Sequence, residues 1–358
     1  MTHSTQRPDY ANPPWFPLTR EEVIAAIERT GPPRIPLVRT LWWGEGFAEL
    51  HGDALAAFDI YPEDAIVLFV EPVAPETMGL SWPVVLEGPH DARVVIDDWA
   101  KLDEFVEKLP DPAQDPLMAR AAEQAARLRA EGRYVLFGWW RLFFEKPWAL
   151  RGMQNLLMDY VLAPEQIHRL HDALCTHYIR YLDYAIRHFR PDGFWTSDDL
   201  GHQKQLFMSP ATFRSLIKPY YARIGDTLRP HGLHWWLHSC GNNTAVLDDL
   251  AEVGVNVFHP VQKGTMDYAA TAAGYGERMT FLVGFDVQHV LQEESPEGVR
   301  AEVRAIVDTF DRPGGGLCIA AGNGILPGTP LENIHAFLDE ALRYGAAHRR
   351  QWARRVLA

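Results

Sequence analysis

Short apolar runs recur along the chain, and many are followed by a stretch with apolar residues at helical spacing. The runs are Ile35–Trp42, Ala65–Glu71, Tyr134–Trp139, Gly193–Asp198, Leu233–His238, Val255–His259, Met279–Phe285 and Leu317–Gly322. Each is near-continuous in apolar character, as expected of parallel strands buried on both faces. Between them, Gln166–Phe189, Pro210–Leu228, Thr244–Val253 and Pro296–Phe310 read as helices. Thr19-Arg20-Glu21-Glu22 is a capping-box signature that opens a helix ahead of the first strand. The long stretch Pro72–Arg133 reads as an excursion, with short strands at Val84–Leu86 and Arg93–Ile96 and helices near Trp99–Leu109 and Pro116–Glu131.

Eight β-then-α units predict an α/β fold of the (β/α)8 TIM-barrel type. One barrel domain is expected over 1–358, with an N-terminal extension and helix over 1–34 and the insertion after the second strand over 72–133. A doubly wound open sheet is the alternative. No G-x-G-x-x-G follows the first strand, which counts against it.

Composition narrows the class. The chain is 47% hydrophobic and 23% charged, with a formal net charge of −13. No Lys/Arg-rich block offers a nucleic-acid surface. No run reaches the roughly 18 apolar residues of a membrane helix. The N-terminal residues are polar, unlike a signal peptide. Three cysteines in 358 residues do not make a disulfide framework. A cytoplasmic protein is expected. Twelve tryptophans include the pairs Trp42-Trp43, Trp139-Trp140 and Trp235-Trp236. They fill a core, or wall a pocket for a flat or apolar ligand.

A barrel of this kind works at the ends of its strands, and the ends read as polar. The first two offer Arg39, Trp43, Glu45 and Glu71. The third ends in Trp139-Trp140-Arg141, and the fourth in Asp198-Asp199 with Gln203 beyond. His238 and Cys240 follow in the fifth, and His259 and Gln262 in the sixth. Asp286 and Gln288 end the seventh, and Asn323 the eighth. For Asp286 a plain capping role is an equally good reading.

His238-Ser239-Cys240 carries the sharpest chemistry. Residues i and i+2 on a strand point the same way, so imidazole and thiol converge, and that pair suits zinc. Two ligands do not hold a metal, and three residues are candidates for a third. Cys318 sits inside the eighth strand, roughly 16 Å of extended chain before Asn323, and reads as a buried small hydrophobe, as does Cys175. Asn323 offers only a weak oxygen. His259 ends the next strand, about 5 Å away, and is the better ligand on geometry. A metal-free, hydrogen-bonded His238/Cys240 pair is the other outcome.

The strand ends resemble the uroporphyrinogen decarboxylase superfamily, strongest from about Gly152 to the C-terminus. The matching segments are Gly152-Met-Gln-Asn-Leu-Leu-Met-Asp159, Asp198-Asp199-Leu-Gly201, Leu237-His-Ser-Cys-Gly241, His259-Pro-Val-Gln262 and Gly322-Asn-Gly-Ile-Leu-Pro-Gly-Thr-Pro330. The resemblance implies a (β/α)8 barrel. It also implies either of two activities: decarboxylation in haem synthesis, or zinc-dependent methyl transfer from corrinoid carriers to thiols. In the decarboxylase pattern the second arginine after the first strand becomes Trp43, the pocket aspartate becomes Glu71, and Gly-His-Gly-Ile becomes Gly322-Asn-Gly-Ile325. These departures argue against a substrate with eight carboxylates, which needs cationic partners. In the methyltransferase pattern His238 and Cys240 match, the distant cysteine becomes Asn323, and His259 stands where relatives commonly carry Asn.

The resemblance therefore implies a zinc-dependent methyltransferase moving a methyl group between a donor or corrinoid carrier protein and a small thiol. His238, Cys240 and His259 would be the metal ligands. Glu71 and Asp199 would orient the substrate or take its proton. Arg39, Trp43, Trp140, Arg141, Gln203, Gln262, Asp286 and Asn323 would bind it. By analogy the protein is a homodimer. The alternatives are a cofactor-free decarboxylase of uroporphyrinogen or another carboxylate, and a barrel that binds a small molecule without turning it over.

Overall fold

A computed structural model describes Tyr10, residues 12–84 and residues 94–357. Its eight strands are β1 Leu37–Val38, β2 Ala65–Phe69, β3 Tyr134–Trp139, β4 Gly193–Ser197, β5 His234–His238, β6 Val255–His259, β7 Thr280–Phe285 and β8 Leu317–Ala321. The pairings β1–β8, β3–β4, β4–β5, β6–β7 and β7–β8 are parallel, and neighbours follow the order β1-β8-β7-β6-β5-β4-β3-β2. This is the (β/α)8 fold expected from the strand count. Every residue of β3, β4, β5, β7 and β8 is buried, which is why their sequences run apolar without alternation. No helix of the described residues is long and apolar enough to cross a membrane.

β1 is shorter than the apolar run that predicts it. The backbone N–H groups of Arg39 and Thr40 donate to the Glu63 carboxylate, at 3.2 and 2.6 Å. Those donors are lost to a strand ladder, and Thr40–Trp42 turns into a 3-10 helix. The expected helix over Pro210–Leu228 forms with a π-helical segment at Phe213–Ile217. Pro219, two residues beyond it, lacks an N–H and cannot complete an α-helical ladder there. In the excursion, the expected helices form at Trp99–Glu107 and Pro116–Ala130. Residues 94–96 form no strand; the N–H groups of Val95 and Ile96 both donate to the carbonyl of Leu150. Residues 85, 86 and 93 of the expected short strands lie outside the described residues.

The chain divides into two compact units. One comprises Met1–Ile66, Gly132–Tyr134 and Val257–Ala358. In it the capping box forms as expected: Thr19 Oγ1 accepts from Glu22 N, and Glu22 Oε2 from Thr19 N. A buried ion pair ties its entry together. Asp64, fully buried, accepts from Arg34 at 2.6 and 2.8 Å and from the backbone N–H groups of Leu18 and Leu37 at 2.8 and 2.7 Å. One carboxylate thus holds the chain before the first helix, the start of β1 and the approach to β2.

The other unit comprises Val67–Glu131 and Val135–Asn256. Its core is aromatic, with Trp139, Trp195, Trp235 and Trp236 fully buried. Trp139 packs on Phe194 and Tyr178, and Trp235 on Tyr221. These tryptophans fill the interior, while Trp140 is left half-buried at the end of β3.

Removing one partner of a buried, fully hydrogen-bonded ion pair leaves the other uncompensated. Asp64→Ala is therefore expected to lower the unfolding free energy by about 3–5 kcal/mol, read from the shift of the urea midpoint. An unchanged midpoint would show that Arg34 finds another partner.

Candidate metal centre at the ends of β4 and β5

β4 and β5 pair in a register that puts Ser197 opposite His238. Two residues further along each chain stand Asp199 and Cys240. The two loops then meet backbone to backbone. A Cβ on Gly241 would lie 2.3 Å from the carbonyl carbon and oxygen of Gly201, and one on Gly201 would lie 2.7 Å from Asn242 N. Gly241 also has φ +79°, a left-handed conformation that glycine adopts without penalty. Buried Asn243 fastens the turn, donating to the carbonyls of Ser239, Cys240 and Gly241 and accepting from Ser239 Oγ. Ser239 Oγ in turn accepts from Leu200 N at 3.1 Å.

This packing gathers Asp199, His238 and Cys240, whose ligand atoms all lie within 4.8 Å of one another. His238 Nε2 is 3.3 Å from Cys240 Sγ and 3.4 Å from Asp199 Oδ1. Zn–N bonds of about 2.0 Å and Zn–S bonds of about 2.3 Å set tetrahedral ligands roughly 3.3–3.6 Å apart, so these edges fit zinc. Carboxylate, imidazole and thiolate are also a zinc donor set. Cys240 N donates to Asp199 Oδ1 at 2.7 Å and orients the carboxylate. Burial pushes the His238 imidazole down to about 3, which keeps it in the neutral, ligating form. Burial also raises Asp199, and the Cys240 backbone N–H and thiol pull it back.

Asp198, completely buried, organises the segment after β3. Its carboxylate accepts from the backbone N–H groups of Phe143, Phe144 and Glu145 at 2.8–3.0 Å and from the Tyr221 hydroxyl at 2.8 Å. Burial and then the neighbouring Glu145 push its carboxyl up to about 7, against those donors. The segment so held carries Trp140, Arg141, Glu145 and Lys146. Trp140 meets the His238 ring edge-on at 5.9 Å. Glu145 Oε2 accepts from Ser197 Oγ at 2.6 Å. Burial, then the charge of Asp199, pushes Glu145 up to about 7. The sequence reading passed over Glu145 and Lys146. Their signal is two ionisable residues set in the apolar run Leu142-Phe143-Phe144 and Pro147-Trp148 directly after a strand end.

Glu71 is exposed and fixed by buried Lys146, whose Nζ donates to Glu71 Oε1 at 3.0 Å and to the Val73 carbonyl at 2.9 Å. Glu71, Arg141 and Lys146 line a cavity of about 230 Å³ with Val73, Val95 and Leu150. Gln203 is exposed in the turn beyond Gly201.

The other expected residues belong to the first unit. His259 places Nε2 3.0 Å from the carbonyl of Ala321 and stacks on Trp42 at 4.4 Å. Asp199, expected as a catalytic residue, is the third member of the group that could hold a metal. The Arg39 guanidinium donates to the Tyr61 carbonyl and pairs with Asp59. Trp43 stacks on Phe47. Asp286 caps its own turn, accepting from Gln288 N and His289 N. Asn323 is exposed and accepts from Gly324 N, and Gln262 is half-buried. Cys318 and Cys175 are buried, as expected of small hydrophobes, and burial raises both thiols, Cys175 to about 12.

With this geometry in place, comparison with known proteins gives the class. The family model for uroporphyrinogen decarboxylase (URO-D) matches residues 44–344, and the chain belongs to that family. A uroporphyrinogen decarboxylase of Prochlorococcus marinus (strain MIT 9211) is 24% identical over 311 residues, 80% of each chain. A methylcobamide:CoM methyltransferase, MtaA, of Methanosarcina barkeri is 28% identical over 139 residues, 39% of this chain and 38% of that one. Among solved structures, a methyltransferase from Methanosarcina mazei superposes with a TM-score of 0.67 at 18% identity, covering 91% of this chain and 99% of that one. That likeness bears on the fold.

Two outcomes are expected from the loop contact and the thiols. Gly264 has the same φ as Gly241, +79°, with no atom within 4 Å of a Cβ. Gly264→Ala should cost about 1 kcal/mol of stability, and Gly241→Ala clearly more, because it adds a backbone clash; equal shifts in urea midpoint would refute the loop contact. After chelator treatment, iodoacetamide should modify Cys240 in the folded protein and spare Cys175 and Cys318 until denaturation, as peptide mass mapping would reveal.

Proposed function

We propose that the protein is a zinc-dependent methyltransferase that moves a methyl group between a methyl donor or corrinoid carrier and a thiol acceptor. The observation that carries this reading is the convergence of Asp199, His238 and Cys240 within 4.8 Å. These three residues would hold the metal. Bound there, zinc supplies a Lewis acid that lowers the pKa of a substrate thiol and keeps it as the nucleophilic thiolate. The name of the Methanosarcina barkeri relative, a transferase between methylcobamide and CoM, supports the same chemistry.

The protein's own groups do the positioning. His238 stays neutral and offers a lone pair. Cys240 N holds Asp199 Oδ1 in place. Trp140, perpendicular to the His238 ring at 5.9 Å, packs beside the ligands. Ser197 Oγ anchors Glu145 beside Asp199, so that a proton displaced from the thiol has a carboxylate nearby to receive it. Glu71, steadied by Lys146, lines a cavity together with Arg141 and would orient the remainder of the substrate.

A cofactor-free carboxylate decarboxylase is the second reading, favoured by decarboxylase relatives that align over 80% of the chain. Against it, the Arg39 guanidinium is already engaged by Tyr61 and Asp59. Anaerobic incubation with uroporphyrinogen III should give no decarboxylated product.

Elemental analysis tests the proposal. The purified protein is expected to hold about one zinc per chain, and the His238→Ala, Cys240→Ala double variant none. Equal zinc in both samples, or none in either, removes the reading. Asp199→Ala should lose zinc and His259→Ala keep it; the reverse would restore His259 as the third ligand.

A further inference from the structure

Three successive residues at the end of β4 bond to one residue of the segment after β3. Ser197 Oγ donates to Glu145 Oε2 at 2.6 Å. The Asp198 carboxylate accepts from the Glu145 backbone N–H at 2.8 Å. The Asp199 backbone N–H donates to the Glu145 carboxylate. Glu145 thus gives one main-chain donor to this stretch and takes two donors from it. Ser197 Oγ accepts in turn from Arg141 N at 3.1 Å, which sets the direction of its own hydrogen. Ser197 and Asp198 are buried, so these bonds form where water competes little.

The neighbours of Asp199 are held from the other side. Asp198 N donates to the His238 carbonyl at 2.9 Å, and Leu200 N to Ser239 Oγ at 3.1 Å. Both acceptors lie on β5 or just beyond it. Between them, Asp199 turns its N–H to Glu145 instead. Opposed anchors on successive residues leave the backbone little freedom to rotate. The direction of the Asp199 carboxylate, which accepts from Cys240 N at 2.7 Å, follows from that backbone. Setting one carboxylate beside another is also costly for the fold. A divalent cation held by Asp199, His238 and Cys240 would offset that cost, which accounts for a pairing that packing alone would avoid.

We infer that Glu145 is the positioning residue of the candidate metal centre, fixing the direction of the Asp199 carboxylate through Ser197 and the Asp199 backbone. This rests on the metal reading above. Glu145 stands outside the group whose ligand atoms lie within 4.8 Å of one another, and it acts through Asp199. The contact between Gly201 and Gly241 sets how far apart the three residues stand. Glu145 sets which way the carboxylate points.

The zinc affinity of the purified protein, read by competition with a chromogenic chelator, tests this role. Glu145→Ala should bind zinc about 10–100-fold more weakly than the parent. Glu145→Gln keeps one acceptor oxygen and should lose less; it replaces the alanine variant throughout should that one not fold. Asp199→Ala should leave only weak binding, measured at high zinc concentration. Adding Glu145→Ala to it should change that residual affinity by no more than about twofold, because residues acting through one another are not additive. Cobalt substitution gives a second readout. In Glu145→Ala the thiolate-to-cobalt absorption from Cys240 should remain while the ligand-field bands shift. Cys175→Ala, a buried change elsewhere in the same unit, should lower the melting temperature and leave zinc affinity unchanged. Equal zinc affinity in the parent and the Glu145 variants, or an unchanged cobalt spectrum, overturns the positioning role and leaves the metal reading standing. A loss as large in the Asp199→Ala background as in the parent overturns it too. A parent that takes up no zinc removes both.

Discussion

Asp198 is the residue on which the candidate site depends. It stands one position beyond β4, buried, and gathers three backbone N–H groups and a tyrosine hydroxyl onto one carboxylate. A segment rich in Leu, Phe and Trp would otherwise leave those backbone donors unsatisfied in an apolar interior, at a cost of about 1–3 kcal/mol each. Satisfying them on a single side chain fixes the path of residues 143–145. Everything this segment contributes follows from that path: Trp140 beside His238, Glu145 under Ser197, and Lys146 against Glu71. Its neighbour Asp199 points the other way, as successive residues at a strand end do, and joins His238 and Cys240. One Asp-Asp pair thus serves scaffold and chemistry at once.

The sequence made the strands legible because burial on both faces leaves a plain mark, an unbroken apolar run. Tyr134–Trp139 was readable to the residue. Where a polar side chain captures backbone donors, the mark fails. Glu63 ends β1 early by taking the N–H groups of Arg39 and Thr40, and nothing in a run of apolar letters announces a carboxylate more than twenty residues away. Pro219 gave a visible signal for the π-helical segment, though helix periodicity outweighs it in a simple reading.

At the site, the His238/Cys240 pair was legible from strand periodicity alone. The third member of the group was harder. Strand spacing favours His259, since it ends the next strand, and it treats Asp199 as an orienting group. What spacing leaves out is the contact between Gly201 and Gly241, which brings the loop after β4 against the loop after β5. Two glycines at loop positions read as turn residues in a sequence. Only their mutual approach shows that they let two backbones touch. Glu145 and Lys146 were illegible for a different reason. Charged residues on a helix usually face solvent, and only the capture of their segment by Asp198 turns them inward.

The glycine contact has a consequence for how such a centre can change. All three ligand groups come from one pair of adjacent strands, and what aligns them is main chain against main chain. Side chains elsewhere on the rim are therefore not part of the ruler that sets the ligand spacing. The segment after β3 can exchange one residue for another while the two loops keep their register. The spacing of Asp199, His238 and Cys240 is thus written in a backbone junction with no room for an added atom, and the side chains around it are replaceable without moving it.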